Sequence, residues 1–582
     1  MLKECIEVFE EKSQLNADPD KIILDNYIPA DGTYIIVKPD GSYKHYEIKF
    51  NKKTKQLENI PLEYEKICFF DYHSRLVNMD KPQDPKKIIH SNNYLSLWVK
   101  KESFQNGKFN KEAIKRYFSV LKAPLEKYKK PQDIKLYKLV EQEVGIVDLE
   151  KAESNQKWIC DNIFNLKEQD IPMQNKDYLK IFFEDTKENY IAEEQRYLYV
   201  KLFNNNDYNI EVNGNILGLP ANNIGYNAKK PYLENLSKKI NVSNLVTAKE
   251  ALTQKRFFEY LMNQATLGKN NIYIDLEKRK IFAMEKGELP DSDFTGMFLQ
   301  VQKGTEAEIW HQDSIVAYKP TLTPLFHYVN VLKVEDKDNE YKAYNSKKVL
   351  QEIINQVFFS KSLVMNYFTE VDKLSVPDTT VKECLLKARD AIFSWLYKGQ
   401  NKNIEKVLHG IGIELVKKSI SAGRLGKASR QFNLAISFKE YNRGGMGMAE
   451  SYDEISGNLR RKLNVKELRG NPEISSDKEY FFAVGQLLEY FISLSKAKDK
   501  PHSLANPFFN MKDNSQLRKK LKQMFLKYNH EISTTSKRFK RLYGMISRYE
   551  EVDNFDTDQI LAGYLSENLI YEKVEKEDSN NE

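Results

Sequence analysis

Apolar residues near the start of the chain recur at Leu2, Ile6, Val8 and Phe9, a helical spacing that a loop containing Pro19 then breaks. Thr33–Val37 and Tyr43–Phe50 are β-rich runs joined by Lys38-Pro39-Asp40-Gly41, and the Asp-Gly tip predicts a hairpin. A second hairpin is expected where Asn271–Leu276 and Lys280–Met284 flank a charged turn, with a strand over Gly296–Lys303 behind it. From about Asn345 the alternation gives way to successive segments of 3.6-residue period. Glu479–Lys496 carries Phe482, Leu487, Phe491 and Leu494, and Gln516–Tyr528 carries Leu517, Leu521, Met524, Phe525 and Tyr528. Thr535–Tyr549 repeats this with Phe539, Leu542, Tyr543 and Ile546, and Asp558–Tyr571 with Leu561, Tyr564, Leu565 and Leu569. Short-linked amphipathic helices of this kind make a bundle. The expected fold class is α+β: a mixed α/β region over 1–345, a helical connecting region over 346–447 and a C-terminal helical bundle over 448–582.

Composition narrows the class of protein. At 582 residues, two to four domains are expected, and a hydrophobic content of 41% with 34 Tyr and 31 Phe is that of a folded chain. The balance of 90 Lys+Arg against 83 Asp+Glu leaves only +7, so local charge must decide the partner. Ten cations fall between Arg518 and Arg548: Arg518, Lys519, Lys520, Lys522, Lys527, Lys537, Arg538, Lys540, Arg541 and Arg548, against the single acid Glu531. From Glu550 onward eleven acids face two lysines, so a segment of +9 precedes one of −9. A basic face on adjacent helices is what a phosphate backbone needs, because each neutralised phosphate releases condensed counterions. The blander reading is a pair of solvated helix faces balanced by the tail's own acids.

Two further segments have polar chemistry suited to nucleic acid. In Gly218–Tyr232 the amides of Asn222, Asn223 and Asn227 and the ammonium groups of Lys229 and Lys230 can donate to base edges and phosphates; an ordinary surface loop explains the same composition. Asp71-Tyr72-His73, Met79-Asp80-Lys81-Pro82 and the run from Lys86 to Lys101 interleave cations with aromatics, as single-stranded nucleic acid requires. Lys86, Lys87, His90, Asn92 and Asn93 are the candidate RNA or subunit contacts there, while Tyr94 and Trp98 fit a core equally well.

Enzymatic readings find little support. Pro39-Asp40 with Glu47-Ile48-Lys49 has the letters of a metal-dependent nuclease motif, but a hairpin places the two carboxylates on the order of 20 Å apart. Asp291-Ser-Asp293 and His311-Gln-Asp313 lack companion ligands at metal-site spacing. There is no phosphate-binding loop, dinucleotide fingerprint or nucleophile elbow, so no catalytic residue, metal or cofactor is expected. Cys5, Cys68, Cys160 and Cys384 form no C-x-x-C pair, and reduced thiols of a cytoplasmic protein are expected. No window has the apolar length of a membrane span.

The chain resembles the large subunit of the type I-B CRISPR Cascade surveillance complex. The resemblance is carried, in order, by DYHSRLVNMDKP (71–82), KKIIHSNNYLSLWVK (86–100) and GLPANNIGYNAKKPYLEN (218–235), then by EYFFAVGQLLEYFISLSKAK (479–498), RFKRLYGMISRYE (538–550) and ILAGYLSENLIYEK (560–573). It implies a non-catalytic subunit that reads the short adjacent motif on double-stranded target DNA while a CRISPR guide RNA reads the target by base pairing. It also implies contact with the displaced single strand, with the backbone, RNA-end-capping and small subunits, and with a recruited helicase-nuclease. Within that frame the 218–235 loop is assigned to motif reading and the Arg518–Arg548 face to the displaced strand. Two other readings stay open: a guide-RNA-processing ribonuclease built on His73 or His90, and a scaffold that binds only proteins.

The resemblance implies, further, that a small subunit is translated internally from the same gene. Arg443-Gly444-Gly445 can be encoded with an AGGAGG ribosome-binding sequence seven nucleotides before the Met448 codon, giving a product of 135 residues. A simple interhelical turn at Gly444-Gly445 is the alternative.

Overall fold

Gly32–Val37 (β1) is buried at every position because strands flank it on both sides. Its sheet runs β2 (Tyr43–Ile48), β1, β6 (Tyr178–Phe183), β5 (Ser96–Lys100); β1 is antiparallel to β2 and parallel to β6. The turn between β1 and β2 is the expected one, with Gly41 at φ +83° and Asp40 accepting from the Ser42 amide at 2.9 Å. This computed structural model describes residues 2–16, 18–75, 83–169, 171–221, 245–304, 307–400, 403–441, 448–464, 472–498, 501–550 and 555–572.

The chain divides into two compact units. The first comprises Met1–Lys286 with Thr295–Ile315, and the second Gly287–Phe294 with Val316–Glu582. The division falls about thirty residues before the expected boundary at 345. The hairpin of β14 (Thr321–His327) and β15 (Ala343–Ser346) belongs to the helical unit, where Phe326 packs on Phe438 with centroids 4.7 Å apart.

In the first unit α1 (Leu2–Gln14) buries Leu2, Ile6, Val8 and Phe9 as expected. The small pair β3 (Phe50–Asn51) and β4 (Gln56–Leu57) follows the first hairpin, and α2 (Tyr64–Ser74) comes next, buried continuously from Ile67 to Ser74. Helices α3 (Lys111–Lys122) and α4 (Leu149–Asn162) share one core with the sheet, and α5 (Lys187–Leu198) follows β6. A short sheet then runs β7 (Ile210–Val212), β8 (Asn215–Gly218), β9 (Val246–Thr247). Helix α6 (Ala248–Thr266) starts from a capping box of Thr247 and Glu250. The second predicted hairpin is present as β10 (Asn271–Asp275) and β11 (Lys280–Met284); with β12 (Phe294–Lys303) and β13 (Ala307–Tyr318) it forms a sheet in the order β11, β10, β12, β13.

After β15 every regular element among the described residues is helical, the longer ones being α7 (Lys347–Val357), α8 (Thr379–Lys398), α9 (Ile404–Ser421), α10 (Leu425–Glu440), α11 (Met448–Asn464), α12 (Asp477–Ser493), α13 (Asn514–Tyr528), α14 (Lys537–Arg548) and α15 (Thr557–Leu565). The architecture is thus α+β, with the sheets concentrated in the N-terminal half. Val416, Ile420, Phe432 and Ile436 share one hydrophobic cluster with Leu459, Leu487, Leu517, Leu542 and Leu561, so the segments 346–447 and 448–582 meet in a common core. The helical period read through to Tyr571 ends at Ser566, whose backbone is extended. There the Leu569 amide donates to Gln486 Oε1 at 2.7 Å and Asn568 Nδ2 to the Gln486 carbonyl at 2.9 Å, bonds that tie the segment to α12.

Helices α12 and α15 cross at a glycine pair. A Cβ on Gly485 would overlap the Ile560 carbonyl oxygen, and one on Gly563 would overlap that of Phe482. The backbones touch, and Gln486 Nε2 donates to the Gly563 carbonyl at 2.6 Å inside the contact. Gly485→Ala or Gly563→Ala is expected to lower the stability of the second unit by about 1–3 kcal/mol, the usual cost of overpacking, measured by chemical denaturation. Gly544→Ala on α14, where only the far end of Arg548 approaches, serves as the tolerated control.

Candidate nucleic-acid interface

Leu517, Leu521, Met524 and Tyr528 fix α13 against the core, and Phe539, Leu542, Met545 and Ile546 fix α14. Phe525 joins the two helices, lying 5.0 Å from Tyr543 and 6.3 Å from Phe539 between ring centroids. This leaves Lys519 and Lys522 exposed on α13 and Lys537 and Lys540 exposed on α14, each pair three residues apart on one helix face. None of these four is in an ion pair among the described residues. Glu531, the one acid between Arg518 and Arg548, pairs with Lys496 at 2.6 Å.

The arginines of the same segment have other work. Arg538 donates to the carbonyls of Leu569 (3.1 Å) and Glu572, Arg541 to that of Leu463 at 2.8 Å and Arg548 to that of Pro472 at 3.2 Å. They tie the last turn of α11 and the segments around Pro472 and Leu569–Glu572 to α14, satisfying carbonyls that would otherwise lack donors. Arg518 is half-buried, with its guanidinium beside Tyr480. Of the nine cations assigned to phosphate, Lys519, Lys522, Lys537 and Lys540 are thus exposed and in no ion pair among the described residues, and Lys520 is half-buried; Lys527 lies 5.2 Å from the Tyr528 ring centroid.

Two described acids of the following segment are occupied elsewhere. Asp558 is buried and accepts from Lys439 Nζ at 2.6 Å with His409 Nε2 at 3.0 Å. Burial opposes its charge, but His409 and Lys439 hold its carboxyl down to about 2. Glu572 pairs with Arg460 at 2.8 Å. These described acids neutralise α9, α10 and α11 rather than the exposed lysines of α13 and α14.

The loop assigned to motif reading has a fixed base. Gly218 is the Cα partner of Val246, the Asn204 amide donates to the Leu219 carbonyl at 2.8 Å, and the Ala221 amide to the Leu202 carbonyl at 2.7 Å. A Cβ on Gly218 would collide with Phe203 and Asn209. Asn222, Asn223, Asn227, Lys229 and Lys230 lie outside the described residues, as does Met79-Asp80-Lys81-Pro82. Met448 opens α11.

The segment read as aromatic and basic has a different character. Tyr94 and Trp98 are core residues. Asn93 is fully buried: Nδ2 donates to the His73 carbonyl at 3.3 Å, and Oδ1 accepts from the Leu95 amide (3.1 Å) and Ser96 Oγ (2.9 Å). Asn92 is buried as well and donates to the Arg75 carbonyl at 3.0 Å. The expected RNA or subunit contact by Asn92 and Asn93 is corrected accordingly, since neither amide reaches the surface. Lys86 and Lys87 are exposed on a turn held by Asp84, which accepts from the amides of Lys86, Ile88 and Ile89 and from Arg116 Nε at 2.9 Å. His90 is half-buried, with Nδ1 3.0 Å from Tyr178 Oη and Nε2 3.2 Å from the Lys87 carbonyl; burial keeps its pKa below the ordinary value.

Sequence reasoning missed a buried polar constellation that surrounds the end of α2. Asp71 pairs with Lys180 from the centre of β6 and accepts from Tyr27 Oη at 2.6 Å. The Lys180 ammonium stands 3.8 Å from the Trp98 ring centroid. Tyr72 Oη donates to Glu259 at 2.7 Å, and Arg75 pairs with the same carboxylate. His73 lies between Glu194 (2.6 Å) and Asp20 (3.4 Å), while Lys255 bridges Glu194 (3.2 Å) and Glu259 (3.1 Å). Arg256 pairs with Asp20 at 2.6 Å. A lysine in the middle of an apolar strand, Tyr178-Leu-Lys180-Ile-Phe, was the sequence signal available for this network.

No protein-family model, curated protein or solved structure matches the chain. No helix among the described residues is long and apolar enough to cross a membrane. Among them, too, no group of His, Cys, Asp and Glu is placed to hold a metal ion. The four cysteines are unpaired, and burial pushes the Cys5, Cys68 and Cys384 thiols up to about 12.

The network makes stability depend on pH with a definite sign. Burial disfavours the His73 imidazolium, but Glu194 and Asp20 outweigh it and raise the pKa to about 9, above the unfolded value of about 6.5. Its stabilisation is therefore full below about pH 6.5 and lost as pH rises through about 9. Amide exchange in residues 64–75 is expected to accelerate over that window in the wild-type chain and to show a flatter pH dependence in His73→Gln, after correction for intrinsic exchange. Equal slopes in both would remove His73 as the cause.

Proposed function

We propose that this chain is a non-catalytic, nucleic-acid-binding large subunit of a type I-B CRISPR Cascade complex. The observation that carries the reading is the set Lys519, Lys522, Lys537 and Lys540, exposed on two adjoining helices and in no ion pair among the described residues. Lysines held apart from carboxylates on a packed scaffold suit the phosphates of a displaced single strand, which demand charge without base readout. The anchored base of the 218–221 turn supports placing motif reading on duplex DNA in the residues that follow it. Guide RNA, the other Cascade subunits and a helicase-nuclease are the partners this assignment requires, in a cytoplasmic complex with no cofactor of its own.

The ribonuclease alternative draws no support from the two histidines. Both nitrogens of His73 face carboxylates in a buried site, and both nitrogens of His90 face protein oxygens. General acid–base work needs a nitrogen within reach of the substrate.

Reversing Lys519, Lys522, Lys537 and Lys540 to Glu in the assembled complex is expected to weaken binding to target DNA. The slope of log K against log salt should fall in magnitude by about 0.7–0.9 for each phosphate that is no longer neutralised. Leaving Arg538 and Arg541 intact keeps α14 tied to Leu463, Leu569 and Glu572, so an unchanged slope would count against the assignment rather than against folding.

The internal-start reading is tested separately. Expression of the untagged gene should give a second product of 135 residues that disappears on silent recoding of codons 443–445. In that product Tyr452 would lack Phe432, and Asp558 would lack Lys439 and His409, so its stability should rise on binding a surface that replaces them.

A further inference from the structure

Lysines that no sequence pattern groups converge on one edge of the first unit. Lys52, Lys53 and Lys55 are exposed on the β3–β4 turn. Asn51 holds that turn rigid: its Oδ1 accepts from the amides of Lys53 (3.0 Å) and Thr54 (3.3 Å), and its carbonyl accepts from the Lys55 amide at 2.9 Å. Lys55 takes the left-handed backbone, φ +58°, and its stem lies over Gly268 at the end of α6. Two residues on, Asn270 is clamped to β12: its carbonyl accepts from the Val301 amide at 2.8 Å and its Nδ2 donates to the Val301 carbonyl at 2.7 Å. Lys269 and Lys303 are thereby carried to the same edge as Lys55.

The arrangement gathers positive charge on one edge. None of Lys52, Lys55, Lys269 and Lys303 is in an ion pair among the described residues. Lys303 is disfavoured as an ammonium first by partial burial and then by the charges of Lys55 and Lys52. The end of α6 does not call for these cations, because the Gly268 and Lys269 amides already donate to the Ala265 and Gln264 carbonyls at 3.1 and 2.9 Å. Like charges held together on a fixed turn raise the free energy of the unliganded protein, and an anion lowers it.

We infer that Lys52, Lys55, Lys269 and Lys303 form a second phosphate-binding site, on the first unit, for the backbone of a nucleic-acid strand. Lys52, Lys55 and Lys303 are exposed, which suits a strand passing across them. The inference rests on the nucleic-acid reading above but uses none of the residues of α13 and α14.

The test is a salt titration of the full chain with a labelled single-stranded oligonucleotide of about 30 nucleotides, as DNA and as RNA. The variant Lys52→Gln, Lys55→Gln, Lys269→Gln, Lys303→Gln should bind about tenfold more weakly at low salt, with a slope reduced in magnitude by about 2. A control that removes equal charge from other exposed lysines of the unit, Lys44, Lys108, Lys138 and Lys157, should keep the wild-type slope. If the wild type binds and the site variant matches it or the control, the site is overturned while the general reading stands. If the wild type binds neither strand, both are overturned. Unchanged circular dichroism of the variants separates either outcome from misfolding.

Discussion

The first unit depends on one constraint: charges buried at the end of α2 must all be paired at once. Asp71, His73 and Arg75 follow each other at alternate positions and meet partners from β6, α5 and α6. An isolated ion in such surroundings would be prohibitively costly, and removing one partner leaves its neighbours uncompensated. Glu259 illustrates the balance, since burial would raise its pKa while Arg75 and Lys255 hold it down to about 2. A network of this kind specifies an arrangement more than it adds stability. It ties a helix, a central strand and two helices remote in sequence to a single geometry, and aromatic rings of Tyr34, Tyr72 and Trp98 lie against its cations.

The second unit is organised by steric closeness instead. The glycines at the α12–α15 crossing let two backbones touch, and Gln486 fills the contact with hydrogen bonds to the Gly563 carbonyl and the Leu569 amide. With the crossing fixed, Arg538, Arg541 and Arg548 fasten neighbouring segments to α14. Lys519, Lys522, Lys537 and Lys540 are left exposed. The division of labour follows side-chain chemistry: a planar guanidinium satisfies several carbonyls, whereas a flexible ammonium stays hydrated at the surface.

Two features relate this framework to nucleic-acid binding. Positive charge is displayed on elements that the core holds still, so a strand would meet it with little ordering cost. Among the described acids that follow the basic segment, Asp558 pairs with His409 and Lys439 and Glu572 with Arg460, on α9, α10 and α11 and not on the exposed lysines of α13 and α14.

The sequence by itself determined the elements whose local period is strongest. The Asp-Gly hairpin, the 271–284 hairpin, the N-terminal helix and the helices after 345 all follow from local spacing, because a turn residue or an apolar stripe acts over a few positions. It also located the basic segment, since charge density is visible without coordinates. Only the tertiary structure decided which charges are free. Arg538 and Lys540 are equivalent cations in the sequence, yet one reaches the backbone of residues 569 and 572 and the other reaches solvent. The same holds for the 71–101 segment, where His73 and Asn93 looked like surface chemistry and are buried, because partners distant in the sequence cover them. Burial and pairing are properties of contacts between distant residues, and local pattern carries no record of them.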